Sequence, residues 1–363
     1  MDYAQLAGMM SDGKLPDHAA ATRFKQYWTE RLGVLVVVAV AGGLLGCSRQ
    51  RTCQERHDPS FGCYEAYYSA IVARAGVSAA FADLKAHYPT DPRVETLCHA
   101  ITHHIGQAAF VKYSGIPEAF AHGDDFCASG YYHGVLQGFT SGAGRASLLA
   151  NLDGVCAAVP GKERHSLEYY NCVHGLGHGI MAMTGDSLFE ALRDCDGLTG
   201  TVEQDACHNG VFMENLIVDG EHGGHFSKYL KPEEPLYPCT AVDKRYKVSC
   251  FENQTSYALG ATRGDFAKVF ALCAGVAAPF RATCYQSLGR DAAAVSLNRV
   301  PATVAMCNLG TGREQRLNCV KGAALDFLYF YHSDAQALEL CAALEPVLRS
   351  DCRSTVAATF RRF

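Results

Sequence analysis

The chain has no Cys-x-x-Cys anywhere, although it carries 17 cysteines in 363 residues. That excludes the thioredoxin-type redox motif, zinc ribbons and covalent c-type haem attachment, all of which need two cysteines at that spacing. No Gly-x-Ser-x-Gly turn is present, so the nucleophile elbow of the α/β-hydrolases is missing. No glycine-rich loop opens a helix in the manner of a phosphate site. Beyond the N-terminal segment there is no basic run, and the formal net charge is −5, which argues against nucleic acid as a partner. Carboxylates are scarce where histidines are dense. Glu214 is the one acidic residue directly beside them, which weakens a two-histidine-one-carboxylate iron site.

What is abundant is cysteine in close pairs: Cys53 and Cys63, Cys195 and Cys207, Cys239 and Cys250, Cys273 and Cys284, Cys307 and Cys319, Cys341 and Cys352. Cys239, Cys273, Cys307 and Cys341 follow one another at steps of 34 residues. A fixed period of this size marks a repeat, and it is long enough for one helical hairpin. Phe266, Val269, Phe270 and Cys273 fall at i, i+3, i+4, i+7, the spacing of one buried helix face. Each unit therefore reads as helix, cysteine, short loop, cysteine, helix, with a disulfide across the loop. The same rule pairs Cys156 with Cys172, whereas the spacing of Cys98 and Cys127 leaves their pairing open. The expected fold is all-α, a solenoid of about seven disulfide-clamped hairpins over the 34-residue period, with a closed α/α toroid as the alternative.

Histidine is distributed unevenly over this frame. Eleven of the 15 histidines lie between His99 and His225, and the repeats from Cys239 onward have only His332. A histidine that served the packing of the repeat would recur in every unit. His99 and His103 are four apart, as are His174 and His178, so each pair projects from one helix face. Two imidazoles at that spacing can share one metal ion. His133 and His208 sit near the starts of two further cysteine-headed segments, and His104 adjoins His103. Aligning His99-x3-His103-x3-Gln107 with Ser129-x3-His133-x3-Gln137 and His174-x3-His178-x3-Ala182 puts His103, His133 and His178 at one position of successive helices. The candidate metal ligands are thus His99, His103, His104, His133, His174, His178 and His208. Imidazole-rich ligation suits copper or iron, and zinc after them. Met181, Met183 and Met213 favour copper if they face the site, and act as core filler otherwise. Tyr131, Tyr132, Tyr169 and Tyr170 are either walls of a substrate pocket or packing. Glycines beside the histidines (Gly130, Gly134, Gly175, Gly177, Gly179) cost roughly 1 kcal/mol each inside helices, so a close helix crossing or cleared space for a ligand must offset them.

These features divide the chain into 1–46, an N-terminal helical cap over 47–90, histidine-bearing repeats over 91–238 with an inserted loop at 216–238, and plain repeats over 239–363. The period and layout over roughly residues 60–363 resemble the tetratricopeptide and Sel1-like class of α/α repeats, in particular its disulfide-stapled secreted members. At the N-terminus, basic Arg23, Lys25 and Arg31 precede an apolar run from Leu32 to Gly46, short of the ~20 residues a span needs. Leu44-Leu45-Gly46-Cys47 resembles a bacterial lipobox. The resemblance implies cleavage before Cys47, a lipid on that cysteine and a partner in the membrane, with Ser48 favouring the outer membrane. An uncleaved anchor is the alternative, and either reading puts the body outside the cytoplasm. The sixteen cysteines left after Cys47 agree, because disulfides persist in oxidising compartments.

Three functions fit. The first is a copper or iron enzyme acting on a small molecule, peptide or protein, with Glu214, His222 or His225 as base. The second is a metal-binding or delivery lipoprotein without turnover, and the third is a repeat scaffold that binds a partner protein. The bias of histidine toward one half of the frame speaks against the third.

Overall fold

A computed structural model describes residues 51–113, 115–127, 129–217, 227–331 and 333–360. Cys47 and the segment before it, the loop histidines His222 and His225, and His332 lie outside the described residues. Among the described residues every regular element is helical. In chain order the α-helices are α1 (Phe61–Ala75), α2 (Val77–His87), α3 (Pro92–Lys112), α4 (Ile116–Ala121), α5 (Gly130–Gly142), α6 (Arg145–Leu149), α7 (Leu152–Val155), α8 (Leu167–Met183), α9 (Leu188–Cys195) and α10 (Thr201–Ile217). They continue with α11 (Lys247–Phe251), α12 (Thr255–Ala261), α13 (Phe266–Ala274), α14 (Ala278–Val295), α15 (Val300–Cys307), α16 (Arg313–Tyr331), α17 (Asp334–Ala342) and α18 (Pro346–Phe360).

The helices that follow each cysteine loop pack on one another in chain order. α1 lies on α3, α3 on α5, α5 on α8, α8 on α10, α10 on α11, α11 and α12 on α14, α14 on α16, and α16 on α18. Among the shorter helices, α2, α9, α15 and α17 each bridge two of these. This is the neighbour-to-neighbour contact of a repeat stack. Local sequence explains the starts. Asp91 caps α3 by accepting from Arg93 N at 2.9 Å, with Pro92 in the first turn where its missing N–H costs nothing. The i, i+3, i+4, i+7 stripe of α13 is buried along its length.

All sixteen described cysteines form disulfides between consecutive partners: 53–63, 98–127, 156–172, 195–207, 239–250, 273–284, 307–319 and 341–352. Six close loops with a sequence separation of 10 to 12, and another has 16; each such closure stabilises by about 3 kcal/mol in the chain-entropy view. The pairing that sequence spacing left open is Cys98 with Cys127, separation 29. It joins α3 to the entry of α5 rather than clamping a hairpin loop. The reason is local: α2 carries no cysteine, so Cys98 finds its partner in the next unit.

Glycine sets the distance between the long helices. A Cβ on Gly177 of α8 would collide with the Cys207 carbonyl of α10, and one on Gly210 of α10 with the His174 carbonyl of α8. The α14–α16 pair repeats this: Gly289 meets the Cys319 carbonyl and Gly322 the Gln286 carbonyl. The two helix pairs are therefore one design used twice. Where the first has His174, His178 and Glu214, the second has Gln286, Arg290 and Asp326 at the same offsets from its cysteines.

Candidate metal centre

The frame gathers five histidines from three successive helices. α3 supplies His99 and His103, α5 supplies His133, and α8 supplies His174 and His178. Their ring centroids form a continuous cluster: His99–His103 4.7 Å, His103–His133 5.3 Å, His133–His174 4.6 Å, His133–His178 4.7 Å and His174–His178 4.9 Å. The His103, His133, His174 and His178 side chains are sealed from solvent, at 5, 3, 3 and 0 % exposure, and His99 is half-buried.

Histidine and glycine are adjacent in sequence for a reason that the packing supplies. Each histidine-bearing backbone rests on a glycine of the next helix. The His103 carbonyl sits over Gly134, the His133 Cα lies 3.2 Å from where a Gly175 Cβ would be, and the His174 carbonyl sits over Gly210. These contacts also correct the register. The position shared by successive helices is occupied by His103, His133 and His174, with Gln107, Gln137 and His178 one turn further on. Aligning His178 with His103 and His133 was one turn out, because His174-x3-His178 reads as the first two positions of the motif when it is the last two.

Hydrogen bonds fix the rings. His99 Nδ1 donates to the Cys127 carbonyl at 2.9 Å, His103 Nδ1 to Gln137 Oε1 at 3.1 Å, and His178 Nδ1 to Glu214 Oε2 at 2.5 Å. The Gln137 amide is oriented from both sides. Its Oε1 also accepts from Gln107 Nε2 at 3.0 Å, and its Nε2 points at Glu214 Oε2 at 3.4 Å. A carbonyl and a carboxylate only accept, so each of these Nδ1 atoms carries the proton and each Nε2 of the neutral ring is a bare lone pair. Those Nε2 atoms turn inward. His99 Nε2 and His103 Nε2 are 3.0 Å apart, and His178 Nε2 lies 3.1 Å from the Nε2 of His174, whose Nδ1 has no acceptor to fix its tautomer. Cys127 and Ser129 hold left-handed φ angles of 61° and 59°, which for residues with a Cβ costs roughly 1 kcal/mol or more each. That turn is what delivers the Cys127 carbonyl to His99.

Burial keeps the cluster uncharged. It pushes the His99 imidazole down to about 4 and that of His178 down to about 3. His103, His133 and His174 are held well below the ordinary histidine range, by burial first and by neighbouring imidazoles after it. Two facing lone pairs at 3.0 Å, buried where a proton is disfavoured, form a site for a different cation. Imidazole–metal bonds of about 2.0–2.1 Å at angles of about 90–110° separate the two nitrogens by roughly 2.9–3.4 Å. The His99–His103 and His174–His178 pairs fit that separation. Two sets of three can each hold one ion: His99, His103 and His133, and His133, His174 and His178.

The other candidates lie elsewhere. His104 points away from the cluster to the edge of Phe61, with Glu65 3.5 Å away, because it follows His103 and so emerges about 100° further round α3. His208 bonds Asp196 at 3.1 Å and packs on Tyr246. Asn209 occupies the inward register on α10, and its amide donates to Glu252 at 2.7 Å. Neither His104 nor His208 belongs to the two sets of three. Glu214 is spent on His178 and Gln137, a carboxylate that orients a ligand and raises its basicity. Tyr131 and Tyr132 are buried in the core, Tyr131 donating to the Ala119 carbonyl at 2.6 Å and Tyr132 packing on Phe120. Tyr169 donates to Glu203. Tyr170 alone of the four stacks on the cluster, 5.7 Å from His174. Met181 is core filler. Gln107 and Gln137 are members of the site that attention to titratable residues passes over, although their spacing from His103 and His133 was visible. Comparison with protein-family models, with characterised proteins and with solved structures finds no match to this chain.

Proposed function

We propose that this chain is an exported metalloprotein whose helical frame exists to hold transition-metal ions, copper or iron ahead of zinc, on an all-imidazole cluster. The observation that carries the reading is the His99–His103 pair. Both Nδ1 protons are committed to oxygen acceptors, so two lone pairs face each other at 3.0 Å in a buried site. Three imidazoles leave further coordination positions for a small molecule, the arrangement used by catalytic rather than closed structural sites. When bound, copper or iron supplies redox or Lewis-acid chemistry. The chain itself supplies the orientation: the Cys127 carbonyl, Gln137 and Glu214 hold three rings in one tautomer, and the surrounding helices exclude water. Binding and delivery without turnover is the second reading, favoured by the near-complete burial of four of the five rings.

The disulfides place the protein in an oxidising compartment, and among the described residues no helix is long and apolar enough to cross a membrane. The anchor belongs to the proposal: a lipid on Cys47, in the lipobox-like Leu44-Leu45-Gly46-Cys47. The test is elemental analysis of the protein purified from its own cell envelope, beside a His99→Ala/His103→Ala variant and a Cys47→Ala variant. We expect copper or iron at stoichiometric level or above in the parent, a loss of about half or more in the histidine variant, and loss of membrane association with retained metal in Cys47→Ala. Native protein without transition metal, or equal metal in parent and histidine variant, overturns the reading.

A further inference from the structure

We infer that the cluster binds two metal ions, with His133 as the ligand common to both. The inference rests on the metal-binding reading and goes beyond it in stoichiometry and in the role of one residue. The five histidines do not form one ligand set. They form two overlapping sets, His99–His103–His133 and His133–His174–His178, and within each set the ligand atoms lie within 4.8 Å of one another. Each set has its own chelating pair from one helix, with nitrogens 3.0 Å apart in the first and 3.1 Å in the second. The pairs approach the α5 ring from α3 and from α8, and they also meet each other, with the His103 and His178 rings 5.7 Å apart. His133 is stacked at 17° on His178 at 4.7 Å and stands edge-on to His99 at 5.5 Å and to His103 at 5.3 Å.

His133 also differs from its neighbours in what its nitrogens do. The Nδ1 atoms of His99, His103 and His178 are each committed to an oxygen. The Nδ1 atoms of His133 and His174 are both buried with no hydrogen-bond partner, but His174 keeps an Nε2 contact to His178, whereas among the described residues none bonds to either nitrogen of His133. A buried polar atom without a partner is costly, and a histidine held in one tautomer by an outer acceptor is the usual arrangement at a metal. The central ring lacks that acceptor, so both of its nitrogens are available to ions. With both ions bound, the ring releases its one N–H proton to solvent and stands between them as an imidazolate. Two lone pairs then form two bonds, and no further reactant is needed. The glycine contacts explain why this ring is central. Gly134 and Gly175 draw α5 against α3 on one side and α8 on the other, so His133 is within reach of both chelating pairs.

The experiment is a copper(II) titration of the full chain, disulfides intact and stripped of metal with a chelator, followed by electron paramagnetic resonance. The expected result is two equivalents bound. The signal of the first ion should diminish as the second arrives, because an imidazolate couples the two spins. His99→Ala/His103→Ala and His174→Ala/His178→Ala should each retain about one equivalent with an uncoupled signal. His133→Ala should abolish the coupling and weaken both ions at least tenfold. Helical circular dichroism and disulfide mapping serve as the folding control, and the two paired variants keep the test decisive if His133→Ala does not fold. A single equivalent in the parent, lost in both paired variants, overturns the two-ion arrangement while leaving a metal protein. Two equivalents without coupling overturn the shared ligand. No binding at all overturns the proposed function itself.

Discussion

At the scale of the residue, Glu214 shows how an acidic group can serve a metal without touching it. Its Oε2 accepts a hydrogen bond from His178 Nδ1–H at 2.5 Å and faces the Gln137 amide. Glu214→Gln keeps the size and can still accept through its oxygen, but it removes the charge that makes His178 a stronger donor to metal. Loss of such an outer partner typically weakens metal binding about 10- to 100-fold. We expect Glu214→Gln to fall in that range by competition with a chromophoric chelator. His104→Ala should leave affinity within about threefold, because its ring lies against Phe61 and Glu65. Equal affinities for parent and Glu214→Gln would mean that the short bond merely packs the α8–α10 interface. His208 teaches the complementary lesson. It occurs at a cysteine-headed helix start like the others, yet Asp196 takes its Nε2. Residue type and proximity to cysteine named it, and the neighbour that claims it lies on another loop. His133, by contrast, was legible as a candidate but not as the centre, because an unpartnered nitrogen is a property of packing.

At the scale of the element, the long helices are glycine-rich against their own propensity. Gly134 illustrates the balance. Changing it to alanine gains roughly 1 kcal/mol of helix propensity. The new methyl, however, would overlap the His103 backbone carbonyl, and a backbone cannot move aside as a flexible side chain does. Overpacking of that kind costs typically 1–3 kcal/mol, so the clash wins and α5 is pushed from α3. Gly134→Ala should therefore lower stability in urea by about 1 kcal/mol or more and reduce bound metal together with it. Gly142→Ala, at the open end of the same helix with nothing nearby, should be neutral or slightly stabilising with metal unchanged. If the two variants behave alike, close approach of α3 and α5 is not what assembles the cluster. Much of this scale was readable beforehand. The 34-residue cysteine period, the i, i+3, i+4, i+7 stripe of α13 and the cost of glycine beside histidine all pointed to clamped helices crossing closely. The register between helices was not readable. A one-turn slip leaves the pattern of His174-x3-His178 intact, and only the contacts of Gly134, Gly175 and Gly210 choose between the alternatives.

At the scale of the molecule, five buried neutral imidazoles set how stability depends on pH in the metal-free protein. In the unfolded chain each takes a proton below its ordinary value of 6.5, while in the fold His99 resists until about 4 and His178 until about 3, with His103, His133 and His174 also held low. Below pH 6.5 the unfolded state thus binds more protons than the native one, and stability falls as pH falls, by roughly 1 kcal/mol per pH unit for each histidine that stays neutral. Asp326 runs the other way. Burial raises it to about 7 from 3.8, so the fold keeps it protonated while the unfolded chain ionises it, and stability is lost as pH rises across that interval. Glu252 and Asp205 are raised by burial in the same sense. Burial lowers His208 as well, so six groups oppose three and the histidines decide the sign between pH 6.5 and 5. We expect urea unfolding of the stripped protein, at fixed ionic strength with its disulfides closed, to show a midpoint that drops steeply over that range. His99→Gln/His103→Gln should make the slope shallower by about two protons. Bound metal should steepen the loss, since it stabilises only the native state and competes with protons for the same nitrogens. A midpoint that is flat, or that climbs toward pH 5, would show that the five rings are not held neutral in one buried cluster.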